Sequence, residues 1–194
     1  MHRVVHLVDN IESSAATAAT SGNDPRFVCD EMLGRLARYL RAAGYDTALA
    51  SGGAPDRRWI DVARREARTL LTCDRQLLHH KAAQGHVLWL RQGRLDHQAS
   101  VLRDQLGVDW LWRPFTRCLV DNARLQHAGE LALGRLPPDL RSRAVRECPA
   151  CGRIYWAGSH HRRMRARLAD WAGGTAGRGG AKLPLWHDEG SADG

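Results

Sequence analysis

No stretch of this chain approaches the ~18 consecutive apolar residues of a membrane span. Val4-Val5 and Leu7-Val8 near the N-terminus are broken by His6, and no clean cleavage-site pattern follows, which reads against a signal peptide and for a protein without membrane contact. No Gly-x-Gly-x-x-Gly follows the first predicted strand, which excludes the common dinucleotide-binding arrangement. The five cysteines are an odd number, and Cys29 and Cys73 fall in predicted buried strands. A disulfide framework is therefore excluded, and a reducing, cytoplasmic setting is expected. Lysine is nearly missing, Lys81 and Lys182 being the only two. That bias explains arginine in place of lysine, but not the net charge of +8. Between Arg135 and Arg167 nine arginines face only Asp139 and Glu147, the electrostatic footprint of a polyanion binder.

What is present alternates. Residues 1–25 read as an extension or linker, small and polar from Ser13 to Gly22. From Arg26 short apolar strands hand over to helices. Arg26 to Asp30 leads into a helix with Leu33, Leu36, Ala37 and Leu40 on one face and Arg35, Arg38 and Arg41 on another. Tyr45 to Ala50 is a strand, and the helix opening at Asp56 buries Trp59, Ile60, Ala63 and Ala67. Thr69 to Cys73 is a third strand, with a helix expected over Arg75 to Ala83. His86 to Leu90 is a fourth, followed by a helix from about Asp96 to Leu106. Short loops between βα units imply an α/β fold with a mostly parallel sheet and helices on both faces. This domain is expected over 26–112, with a small zinc-ribbon-like lobe and its basic helix over 113–170. The Gly-rich stretch 171–194 is expected to be disordered.

Asp30 and Asp74 each stand where a strand ends, and in a parallel sheet the strand C-termini share the ligand-binding edge. Asp56, at a helix start, is the third acid, with helix capping as its rival reading; Asp96 is either a fourth acid or a cap. Converging carboxylates are relieved by a divalent cation, and oxygen ligands suit Mg²⁺ or Mn²⁺. Metal-assisted hydrolysis of a phosphodiester is the chemistry this suggests.

Cys148-Pro149-Ala150-Cys151-Gly152 is half of a zinc knuckle. Cys118 offers one ligand of a second half, but the residue three further on is Asp121. A structural Zn²⁺ site therefore needs Asp121, His127 or His160 as its fourth donor, or is lost. Nearby, Arg153, His160, Arg162 and Arg163 accompany Tyr155-Trp156, a mixture of guanidinium, imidazole and rings suited to RNA.

The segments Asp30 to Asp46, Leu70 to Leu77 and Cys148 to His160 resemble the Mut-7 C-terminal RNase domain family, PIN-like nucleases followed by a zinc ribbon. The resemblance covers roughly Phe27 to Leu168. It implies a PIN-like α/β domain and divalent-metal-dependent RNA cleavage, with Asp30, Asp56 and Asp74 at the acidic positions. It also implies a ribbon that helps to hold RNA, with Cys118, Cys148 and Cys151 among its ligands. Two positions depart from the pattern: Cys73 stands where Arg is usual, and Asp121 where the second Cys is expected. Many relatives begin with a ubiquitin-like domain, for which about 25 residues are too few. A binding module that no longer cuts and a PIN-type toxin are the competing readings.

Overall fold

The computed structural model describes residues 24–53 and 55–173; the expected tail beyond Gly173 and nearly all of the N-terminal extension lie outside the described residues. Four strands, β1 (Arg26–Cys29), β2 (Asp46–Leu49), β3 (Thr69–Thr72) and β4 (Val87–Trp89), form a parallel sheet in the order β2-β1-β3-β4. The α/β class with a parallel sheet is therefore the one expected. Strands β1 and β3 lie centrally, and their side chains from Phe27 to Cys29 and from Leu70 to Thr72 are buried. The period of two divides them between faces. Phe27, Cys29 and Leu71 meet α1 (Gly34–Ala42) and α3 (Leu95–Leu106), whereas Val28 and Leu70 meet Ile60 and Ala63 of α2 (Asp56–Arg65).

The chain leaves β1 for β2 on one side, then returns across β1 to β3 on the other. The order reverses between β1 and β3, and ligands of open α/β sheets bind in the crevice beyond the strand ends at such a point.

Three local expectations are corrected. Arg75 to Ala83 is not one helix but two 3-10 turns, Gln76–His79 and Lys81–Ala83, joined by an extended His80 (φ −72°, ψ 120°). Its buried anchors, Leu77 and Ala83, do not recur at a helical spacing. Ala67 is no part of a helical stripe, because α2 ends at Arg65 and Ala67 is exposed with φ 49°. Arg41 does not share the solvent face of Arg35 and Arg38. It is 4% exposed, donating to the carbonyls of Thr47 (2.8 Å), Leu119 (3.2 Å) and Val120 (2.7 Å).

Beyond α3 the chain turns at Gly107 (φ 64°) and crosses α1's end, where Arg113 N–H bonds the carbonyl of Ala43 at 3.0 Å. The crossing requires Gly44 (φ 101°), since a Cβ there would overlap the Arg113 carbonyl. A three-stranded antiparallel sheet follows, β5 (Gln126–His127), β6 (Val145–Glu147) and β7 (Ile154–Trp156), with short helices α4 (Glu130–Gly134) and α5 (Pro138–Arg141) between β5 and β6. The last helix, α6 (Ser159–Trp171), returns to the main body and buries Met164, Leu168 and Trp171 in its larger core. Trp171 meets Tyr39 and Trp110 edge-on, with centroids 4.8 and 4.9 Å away.

Asp46 ties the base of the sheet together. Its carboxylate accepts from Arg68 (2.7 Å), Asn122 (2.8 Å) and Arg26 (3.3 Å). Burial alone pushes its pKa up; the hydrogen bonds from Arg68 and Asn122 and the charges of Arg68 and Arg117 reverse this and hold it at about 2. A depressed folded-state pKa stabilises above the unfolded value and loses that stabilisation as pH falls through the folded one. Urea unfolding between pH 5 and pH 2 is expected to lose about 2 kcal/mol from this residue, and Asp46→Asn to remove that part of the pH dependence.

Candidate functional site

The acidic edge is built by the ends of β1 and β3. Asp30 follows β1 directly, and its N–H bonds the carbonyl of Leu71 at 2.9 Å, fixing it against the neighbouring strand. Thr72, the last residue of β3, is wholly buried. Its hydroxyl donates to Asp30 Oδ2 at 3.0 Å and accepts from the N–H of Asp74 at 2.9 Å. One hydroxyl thus joins both half-buried acids. Asp74 Oδ1 accepts from the N–H of Gln76 at 2.8 Å, leaving Oδ2 without a partner among the described residues. Asp30 precedes a 3-10 turn (Glu31–Leu33), yet its carboxylate makes no capping bond.

Asp56 is the first residue of α2 and is exposed; Pro55 stands at the cap position, and no side chain caps the helix. Helix capping therefore accounts for neither Asp30 nor Asp56. Asp30, Asp56 and Asp74 are not drawn within 4.8 Å of one another as a group. Asp96 has other work: it accepts from Arg167 (2.8 Å) and from Trp171 Nε1 (3.0 Å), fastening α6 to α3. Beside the edge, Trp89 donates to the carbonyl of Cys73 at 3.0 Å, and Arg75 lies over the Trp89 ring, 4.3 Å from its centroid.

Thr72 was not singled out from sequence, because a threonine near a strand end reads as an ordinary β-branched residue. The signal was there, since a hydroxyl two residues before an aspartate at a strand end can accept that residue's backbone N–H.

A second cluster forms where two chain reversals meet. Cys118 N–H bonds the carbonyl of Ala123 (2.8 Å), and Asn122 N–H bonds the carbonyl of Cys118 (3.1 Å). Thirty residues on, Cys148 N–H bonds the carbonyl of Arg153 (2.9 Å), and Gly152 N–H bonds the carbonyl of Cys148 (2.9 Å). Asn122 (φ 72°) and Gly152 (φ 67°) occupy the same left-handed position in each. The two turns are conformational copies, and Asp121 takes the place that Cys151 holds in the other.

Among the described residues, Cys118, Asp121, Cys148 and Cys151 are the group whose ligand atoms lie within 4.8 Å of one another. His127 and His160 lie outside it. Cys118 Sγ is 3.8 Å from Cys151 Sγ, and Cys148 Sγ is 3.2 and 3.3 Å from the Asp121 oxygens. A tetrahedron with metal–sulfur arms of about 2.3 Å has edges of about 3.8 Å, so the donors fit a small tetrahedral cation. Burial pushes the Cys148 thiol up to about 12, and a thiolate there at neutral pH needs the compensating charge of such a cation. Asp121 is held well below the usual carboxylate range: burial raises it, but hydrogen bonds from Cys151, the Ala123 N–H, Cys118 and Cys148 prevail.

Arg41 and Asn122 dock this cluster beside the start of β2, at the opposite end of the sheet from Asp30 and Asp74. Arg153, His160, Arg162 and Arg163 are all exposed. Arg153 and His160 line one cavity, whereas Arg162 and Arg163 lie outside it.

These features define an α/β protein with an acidic strand-end edge and a separate, sulfur-rich cluster whose donors could hold a metal ion. The chain belongs to the Mut7-C RNAse domain family, whose model matches residues 25–168. A human protein described as "Exonuclease mut-7 homolog" is 46% identical over 59 residues, 30% of this chain and 7% of that relative. The chain thus spans a small part of the length of that relative. No solved structure matches it. No helix of the described residues is long and apolar enough to cross a membrane. The family implies a nuclease-type function with a nucleic-acid substrate.

Proposed function

We propose that the protein is a divalent-metal-dependent ribonuclease that hydrolyses RNA phosphodiester bonds at the edge formed by Asp30, Asp56 and Asp74. The observation that carries this reading is the shared Thr72 hydroxyl, which donates to the Asp30 carboxylate and accepts from the Asp74 backbone N–H, pinning both acidic residues at the switch point of a parallel sheet. Asp30 and Asp74 hold one or two Mg²⁺ or Mn²⁺ ions, with Asp56 approaching from the start of α2. Such an ion supplies Lewis acidity and lowers the pKa of water. The chain's own share is to orient the carboxylates and to hold phosphates beside them. Exposed Arg57, Arg58, Arg64 and Arg65 outnumber Asp61 in an open groove with His86 along α2, the helix that begins at Asp56, and suit that second task.

In the second cluster Cys118, Asp121, Cys148 and Cys151 hold a structural Zn²⁺, making the antiparallel sheet a zinc-ribbon-like lobe. Arg153, His160, Arg162 and Arg163 carry the RNA on that side. Five free cysteines suit a reducing compartment, the cytoplasm.

The test is cleavage of labelled single-stranded RNA by metal-stripped protein, with Mn²⁺ or Mg²⁺ added back. Restored cleavage supports the enzyme; tight binding without cleavage on several RNAs supports a binding module instead. Thr72→Val is expected to reduce metal-restored cleavage by roughly ten- to a hundred-fold, the usual effect of removing a group that orients a metal ligand. A Mn²⁺ titration of the variant should show the same loss in metal affinity.

A further inference from the structure

Between α1 and the antiparallel sheet lies a cavity of about 630 Å³, within the range of sites that enclose small molecules. Its walls come from three parts of the chain: Arg38 of α1, Phe115 and Val120 just before and within the first cysteine turn, and Arg153, Trp156 and His160 around β7 and the start of α6. Apolar atoms make up most of its floor, and Trp156 (37% exposed) and Val120 (45% exposed) are large apolar side chains open to solvent. No Asp or Glu lines it. Arg38 and Arg153 have no ion-pair partner among the described residues. Gly158 leaves room for the indole, since a Cβ there would stand 3.0 Å from Trp156 Nε1.

The occupant this chemistry selects has a flat, largely apolar body and an anionic end. We propose that the cavity takes a single unstacked nucleotide of an RNA strand, its base against Trp156 and its phosphate facing Arg38 and Arg153. This rests on the ribonuclease reading above and deepens it, because it makes the substrate single-stranded at a defined place. A base inside a duplex is already stacked on both faces and cannot enter. Arg38 lies eight residues beyond Asp30, across a 3-10 turn and the first turn of α1, roughly 13 Å along the chain, a span that a short single-stranded run covers. The cavity therefore holds the strand a short, fixed distance from the acidic edge.

The test uses the full chain carrying Asp74→Asn and a short oligouridylate containing 5-iodouridine. Photocrosslinking is expected to modify the peptide that contains Tyr155 and Trp156. Trp156→Ala is expected to weaken binding roughly ten-fold or more, and Trp156→Phe to recover most of that loss, since stacking needs a ring rather than an indole. An oligonucleotide that binds but crosslinks only elsewhere overturns the cavity assignment and leaves the ribonuclease reading standing. An oligonucleotide that is neither bound, nor cleaved by the wild-type chain with metal, overturns both. Polyglutamate competing as well as polyuridylate would mean that charge alone is read, and would overturn the base site.

Discussion

Asp74→Asn is expected to lower metal-restored RNA cleavage by roughly a hundred-fold or more while leaving RNA affinity within a few-fold. Groups that merely orient a metal ligand contribute about ten- to a hundred-fold, and a ligand itself contributes at least as much. The substitution keeps Oδ1, and with it the bond from the Gln76 N–H that shapes the turn, so the fold around it should hold. Asn replaces the free Oδ2 by an amide nitrogen that cannot ligate a hard cation. Asp30→Asn is expected to act similarly, with its remaining oxygen turned to the Thr72 hydroxyl. Cleavage by Asp74→Asn at the wild-type rate would remove the edge from the mechanism. The control is melting temperature, which should move little, because the wild-type edge concentrates negative charge that Asn relieves.

The second large effect concerns the cysteine turns. Purified protein is expected to carry one zinc per chain, and stripping it with a strong chelator should lower the melting temperature by more than ~10 °C. In peptide hosts structural zinc contributes about 10–16 kcal/mol of binding free energy, so even a fraction of that dominates a small lobe. The local core makes the dependence strong, since the buried residues of that lobe's own cluster are Cys118, Leu125 and Cys148. Two of the three are proposed ligands. Cys148→Ser should reproduce the stripped protein, and Asp121→Cys should retain zinc against higher chelator concentrations by completing a four-thiolate site. A chain that purifies without zinc, with a melting temperature indifferent to chelator, would leave the lobe held by packing alone.

Much of this architecture was legible in the sequence. Leu33, Leu36, Ala37 and Leu40 repeat at helical spacing and are buried together, and the strands β1 and β3 were visible as apolar runs ending in aspartate. What was not legible depends on distant partners. Arg41 looked like a solvent-facing cation until carbonyls from residues 119 and 120, nearly eighty positions away, came to meet it. The Arg75 to Ala83 segment has helix-forming residues, yet Leu77 and Ala83 are anchored to α2's side of the sheet with an extended His80 between them. For the cluster, spacing left Asp121, His127 and His160 open as the fourth donor. The repeated turn geometry selects Asp121, because only that residue occupies the position of Cys151.

Asn122 belongs to the first cysteine turn, but its side chain reaches outside it. The Thr47 N–H donates to Asn122 Oδ1 at 2.9 Å, and the Thr47 carbonyl accepts from Arg41 at 2.8 Å. Thr47 lies on β2, the edge strand, where unpaired backbone groups invite another chain to add a strand. The first cysteine turn thus works as a stopper on that edge. Its opening would expose a strand-pairing template, so if zinc closes the turn as proposed, stripped chain would disappear from solution as aggregates grown from β2 before its acidic edge had lost any of its geometry.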